Sequence, residues 1–170
     1  GPRSRELLSS LTEADLSNEA FAYLTSRDIQ LAYATVRASR VTYVGELGWE
    51  LYVPTEFSTA VYDDIVEAGE RFGLRHAGFH AMDSLRTEKA YRAWGHDLTD
   101  QDTSLEAGLG FAVAFDKGPF IGRRALMRQR KESVKRRLAV FTIDDPEPLL
   151  LGDEPIYRDG ELVGLTTCGA

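Results

Sequence analysis

The stretch Tyr43-Val44-Gly45-Glu46-Leu47-Gly48-Trp49-Glu50-Leu51-Tyr52-Val53-Pro54 constrains the fold more than any other part of this chain. Arg40-Val41-Thr42-Tyr43 is β-branched and aromatic, Gly45 to Gly48 carry turn chemistry, and Trp49 to Val53 resume an apolar run. That pattern predicts two strands joined by a tight turn. Side chains alternate along a strand, so Trp49, Leu51 and Val53 share one face and Glu50 and Tyr52 the other. An ionised carboxylate amid apolar neighbours needs a partner, because desolvation without one is expensive. A carboxylate beside tyrosines suits a flat heterocycle whose N–H donors it can accept while rings cover the faces. A solvent-facing Glu on a half-exposed antiparallel strand fits the same spacing.

At 170 residues the chain is one large domain or two small ones, with enough length to bury a core. No run of 18 apolar residues marks a membrane span, and the N-terminus lacks the apolar region of a signal peptide. The single cysteine, Cys168, excludes an internal disulfide framework and a cysteine-based zinc site, in keeping with a reducing compartment. A net charge of −7 argues against generic nucleic-acid binding. Against that balance, Arg123, Arg124, Arg128, Arg130, Lys131, Lys135, Arg136 and Arg137 crowd one span broken only by Glu132. A solvated helix face accounts for much of this cluster; a site for a polyanionic ligand tail is the sharper alternative.

Periodicity predicts a short helix over 3–11, a strand over 29–36, and a helix from Thr55, as its cap, to Phe72 with Gly73 as its stop. A second helix over about 79–90 is expected to line up Phe79, Met82, Leu85 and Lys89. Residues 111–115 read as a strand, 121–130 as a helix, and 138–143 as a strand. Asp144-Asp145-Pro146-Glu147-Pro148 reads as a linker or long turn. Beyond it, 154–164 reads as a hairpin around Asp159-Gly160, and Leu165-Thr166-Thr167-Cys168 as a further strand. A β unit left unfinished there suggests a piece of a longer protein.

Few residues fall into known catalytic spacings. His76, His80 and His96 lack a His-Glu-x-x-His setting, which favours surface or capping roles over metal binding. There is no Gly-x-Ser-x-Gly elbow, and neither Gly45-x-x-Gly48 nor Gly108-x-Gly110 has the context of a phosphate or dinucleotide loop. Asp83–Arg86 and Glu88–Arg92 read as intrahelical pairs. Glu106 reads as a cap on a nearby turn. From chemistry alone the chain is a ligand-binding α+β domain.

The order of segments says more. Tyr-Val-Gly-Glu-Leu-Gly-Trp-Glu-Leu-Tyr-Val-Pro is followed by Ala-Met-Asp-Ser-Leu-Arg-Thr-Glu-Lys-Ala-Tyr-Arg-Ala-Trp-Gly-His-Asp-Leu. Then come Ser-Leu-Glu-Ala-Gly-Leu-Gly-Phe and Lys-Gly-Pro-Phe-Ile-Gly-Arg-Arg-Ala-Leu. This series resembles the aminomethyltransferase family, typified by the T-protein of the glycine cleavage system. The Glu-Lys-Ala-Tyr-Arg-Ala-Trp-Gly segment is most similar to the branch fused to dimethylglycine and sarcosine dehydrogenases.

The resemblance implies an α+β fold: residues 1–133 would be a ferredoxin-like part of the folate-binding core, and 134–170 the start of a C-terminal β-barrel. It implies tetrahydrofolate as cofactor and an N-methyl amine as the source of a one-carbon unit. Tyr43 and Glu50 would contact the pterin, Leu51 and Tyr52 would line the site, and Phe111 would supply a further aromatic contact. Ala81-Met82-Asp83 stands where the glycine-cleavage branch has Ala-Arg-Asp, so the folate-binding Arg of that branch has no counterpart here. The family's catalytic aspartate would lie upstream of Gly1, as would any FAD domain, so no catalytic residue is assigned and no turnover is expected from this chain alone. The expected partners are the small-molecule folate, the amine and the rest of the parent chain, with neither nucleic acid nor membrane. The expected location is the cytoplasm, or the mitochondrial matrix in a eukaryote. A non-catalytic folate-binding or regulatory paralogue, and a folate-dependent demethylase, are the alternatives.

Overall fold

In the computed structural model, residues 1–145 and 147–169 are described. The chain forms two compact units, Gly1–Met82 and Asp83–Ala170. Both mix helices with small antiparallel sheets, so the α+β class holds, and no closed barrel forms among the described residues.

The first unit has an apolar core. Strands β1 (Ser26–Leu31), β2 (Ala34–Ser39) and β3 (Glu50–Tyr52) form an antiparallel sheet in that order. Alternation along the strands sends Ile29, Leu31, Ala34, Val36 and Ala38 to one face, all buried. Leu7 and Leu8 of α1 (Ser4–Ser9), Val61 of α2 (Ser58–Gly69), and Leu16 and Phe21 from the intervening loop complete the cluster. Each large side chain so buried contributes about 1.5–3 kcal/mol. Trp49, Leu51 and Val53 pack against the same cluster, as their alternation requires. After α2 and a 3-10 turn, Gly73 adopts φ 71°, a left-handed stop that a side chain would disfavour.

The strand boundaries depart from expectation in instructive ways. The run 29–36 is not one strand but a hairpin that turns at Ala32-Tyr33, with Ala32 at φ 51°. Neither residue carries the usual turn signal, which is why the break is invisible to pattern. The partner of β3 is 34–39 rather than 40–43, in the register Arg37↔Tyr52, Ala38↔Leu51 and Ser39↔Glu50. The Val41 N–H bonds back to the Ser39 carbonyl at 3.0 Å, which ends the ladder and makes 40–49 a long connection instead of a tight turn. Thr55 opens a 3-10 turn without a side-chain cap; Ser58 Oγ donates to its carbonyl at 2.8 Å.

The second unit is organised differently. Helix α3 (Phe79–Glu88) enters it from the first, but the expected apolar stripe is not its buried side: Phe79 is 72% exposed and Leu85 40%, whereas Arg86 is 2% exposed. Residues 111–115 form no strand. A 3-10 turn occupies Gly110–Ala112, set up by Gly108 at φ 71° and the bond from Leu109 N–H to Ser104 O at 2.7 Å. Helix α4 spans Arg123–Glu132, as expected, and buries no residue. Residues 138–143 run without a ladder, for no described strand pairs with them; the Leu138 N–H bonds to the Glu106 carbonyl at 2.8 Å instead. Strands β4 (Pro155–Arg158) and β5 (Glu161–Leu165) form the expected hairpin, with Asp159 and Gly160 both at positive φ (55° and 83°). β5 stops at Leu165, so 166–168 do not extend it. Of the expected linker, Pro146 lies outside the described residues.

Candidate functional site

The face of the three-stranded sheet turned away from the core is polar and open. It displays Asp28 and Gln30 from β1, Thr35, Arg37 and Ser39 from β2, and Glu50 and Tyr52 from β3, the complement of the buried set. Cross-strand pairing brings Arg37 beside Asp28, and the guanidinium grips both carboxylate oxygens at 2.6 and 3.1 Å. That bond from Arg37 holds the Asp28 carboxyl below its usual range. Asp28, Thr35, Arg37, Tyr52, Val53 and Pro54 line a shallow depression on this face.

Glu50 is solvent-facing, not sunk among apolar side chains. The Tyr52 hydroxyl donates to its Oε2 at 2.6 Å. This hydrogen bond, followed by the charge of Glu50, raises the Tyr52 phenol above its ordinary value, so the phenol stays protonated and donating. Oε1 has no hydrogen-bond partner among the described residues. The geometry is a fixed carboxylate with one committed oxygen and one accessible, next to a depression that its own donor lines.

The other expected ligand contacts lie on the opposite face of β3 or on other elements. Leu51 points to the opposite face and packs against the core. Tyr43 is half-buried in the 40–49 connection. Phe111 belongs to the second unit, where its side chain is 87% exposed. Glu50 and Tyr52 are joined by the hydrogen bond between them.

The second unit contains a polar centre that periodicity does not reveal. Arg86 donates to Asp83 Oδ1 at 2.7 Å, to the Tyr91 carbonyl at 3.1 Å, and to Asp97 Oδ2. Asp97 also accepts from the Ala93 N–H at 2.8 Å, from Thr167 Oγ1 and from Cys168 Sγ at 3.2 Å. Burial opposes the charge on Arg86, yet the bond to Asp83 and the charge of Asp97 outweigh it and raise its pKa. Burial likewise opposes the charge on Asp97, but the bonds from Thr167, Ala93 and Cys168 and the charge of Arg86 lower its pKa. The Asp83–Arg86 pair was legible from its spacing. Arg92, beyond the end of α3, donates instead to the Ala107 carbonyl at 2.9 Å. Glu106 does cap its turn: the N–H and hydroxyl of Thr103 both reach it at 2.9 Å, and its own N–H reaches Thr103 Oγ1 at 3.2 Å.

The three histidines are exposed. His76 stacks on Tyr62 at 5.9 Å and His80 meets Phe79 edge-on at 6.4 Å. No helix among the described residues is long and apolar enough to cross a membrane.

Comparison with known proteins assigns this fold to a class. Residues 1–117 match the GCVT N-terminal domain, so the chain belongs to that aminomethyltransferase family. It is similar to human mitochondrial sarcosine dehydrogenase, 46% identical across 96% of this chain and 18% of that protein. Human mitochondrial dimethylglycine dehydrogenase is 42% identical over all of this chain and 20% of its own length. An aminomethyltransferase of Caldanaerobacter subterraneus subsp. tengcongensis is 39% identical over 99% of this chain and 45% of its own. The chain therefore spans about a fifth of the length of the two dehydrogenases.

Proposed function

We propose that this domain binds tetrahydrofolate and, within its parent protein, helps transfer a one-carbon unit from an N-methyl amine to that cofactor. The observation that carries the reading is Glu50, an ionisable acceptor held by Tyr52 with Oε1 uncommitted on an open face. The pyrimidine edge of a pterin offers adjacent N–H donors, and a carboxylate accepts two of them in a paired, charge-assisted way. Tyr52 supplies an aromatic wall and fixes the carboxylate rotamer. Tyr43, Leu51 and Phe111 belong to the proposal as further contacts in the assembled parent.

The family supports this reading, because relatives that match the whole chain bear the names of a sarcosine dehydrogenase, a dimethylglycine dehydrogenase and an aminomethyltransferase. In the same proposal, 1–133 contributes to the folate-binding core and 134–170 to a C-terminal β-barrel. The catalytic aspartate and any FAD site lie elsewhere in the parent. The location is the mitochondrial matrix for a eukaryotic parent and the cytoplasm otherwise.

In the full-length protein, Glu50→Ala should weaken tetrahydrofolate binding by about 1.5–3 kcal/mol, the scale of hydrogen bonds to a charged group. Calorimetric titration measures it directly. Unchanged affinity would remove Glu50 from the site.

A further inference from the structure

The open sheet face is banded by the strand register. Asp28, Arg37 and Tyr52 lie across it in one row, and Gln30 and Thr35 in another. In these rows Arg37 takes both oxygens of Asp28, Gln30 Nε2 donates to Thr35 Oγ1 at 2.7 Å, and Tyr52 donates out of its row to Glu50 at 2.6 Å. The remaining row, Ser26–Ser39–Glu50, follows from the pairings Ser26↔Ser39 and Ser39↔Glu50. Here the two serine hydroxyls lie 2.9 Å apart, and either could donate. Two hydroxyls bring two O–H donors, and only one hydrogen can lie between the oxygens. One O–H therefore stays available, in the same row as the uncommitted Oε1 of Glu50.

We propose that Ser39, backed by Ser26, is a second ligand-binding residue of this face, donating to a carbonyl that neighbours the N–H donors held by Glu50. The inference rests on the reading of Glu50 as the folate anchor and adds a second contact to it. Ser39 and Glu50 are neighbours across strands separated by about 4.8 Å. A ring edge that presents amine N–H, ring N–H and carbonyl in series needs acceptors at one end and a donor at the other. Glu50 can only accept, and Ser39 supplies the donor. When Ser26 donates to Ser39, the Ser39 hydrogen is released toward the ligand.

The full-length protein tests this by calorimetry with tetrahydrofolate and four variants: Ser39→Ala, Ser39→Thr, Glu50→Ala and the Ser39→Ala/Glu50→Ala double. Ser39→Ala should weaken binding about three- to tenfold with an unchanged melting temperature, as loss of one neutral hydrogen bond requires. Ser39→Thr keeps the hydroxyl and should restore affinity. In the Glu50→Ala background the Ser39→Ala effect should shrink, since the edge is no longer aligned. If Glu50→Ala weakens binding and Ser39→Ala does not, the inference fails while the role of Glu50 stands. If neither variant changes affinity, the role of Glu50 fails and takes the inference with it. A Ser39→Ala loss that comes with a lowered melting temperature and no rescue by threonine marks a cross-strand structural bond and overturns the proposal.

Discussion

The two units bury different things. The first closes Leu7, Leu8, Phe21, Ile29, Leu31, Val36 and Val61 into one apolar cluster. Among the described residues of the second, the buried ones are Ala107 and Arg86. The Arg86–Asp97 pair ties α3 to the 93–98 turn and to Thr167 and Cys168. An apolar cluster is tolerant, because its stabilisation is spread over many contacts and scales with area. A buried ion pair is not, because desolvation has already consumed most of its Coulombic gain and either partner left alone is stranded. The first unit thus gives a rigid platform for the open sheet face, and the second holds its buried charge in this polar junction.

Breaking that junction should produce the largest effect. Arg86→Ala leaves Asp97 buried without its counter-ion, at an expected cost of about 3–5 kcal/mol. Hydrogen exchange should show protection lost over 83–169 and kept in β1 and β2. A double replacement of Arg86 by Met and Asp97 by Leu should cost less than the single one. Equal loss of protection in both units would mean that they do not differ as described.

The converse substitution sharpens the contrast. Leu31→Ala removes a fully buried side chain from the first unit and should destabilise it by about 2–5 kcal/mol, read as a shifted denaturation midpoint. The bonds of Arg86 should survive, with protection at the 93–98 turn unchanged. The open sheet face should suffer, since the strands that display Glu50 lose their backing.

Acid should produce a smaller, graded effect. The bond from Thr166 and the N–H of Leu151 depress the Glu154 carboxyl from 4.5 to about 2, and Asp97 is also lowered from its ordinary 3.8. A carboxylate with a depressed folded-state pKa stabilises above its unfolded value and loses that contribution as pH falls through the folded one. Thermal melts between pH 5 and pH 2 should therefore show the second unit weakening progressively. Glu6, Asp15 and Asp28 carry shifts of the same sign in the first unit, but on exposed groups beside an intact core. A second unit indifferent to pH across this window would contradict the role given to Asp97 and Glu154.

Sequence legibility follows the same division. In the first unit the core side of β3 could be read from alternation: Trp49, Leu51 and Val53 inward, Glu50 and Tyr52 outward. Helix α2 and its Gly73 stop were legible because apolar period and left-handed glycine coincide. The turn at Ala32 was not, since a non-glycine residue at φ 51° carries no compositional sign. The burial of Arg86 was hidden for a deeper reason. Periodicity ranks residues by apolarity, and a buried guanidinium inverts that ranking once distant groups such as Asp97 and Tyr91 satisfy it. Residues 138–143 have strand composition but no ladder, because a strand is a property of two segments and composition reports only one. At the candidate site, residue types pointed to Glu50 and Tyr52, while the hydrogen bond between them and the serine row beside them required the register.

The most direct measurement is a crystal structure of the full-length protein with tetrahydrofolate bound. The Glu50 carboxylate should lie about 2.7–2.9 Å from two pterin nitrogens, with the Tyr52 hydroxyl still on Oε2. A pterin seated elsewhere, with Glu50 facing only water, would contradict the account.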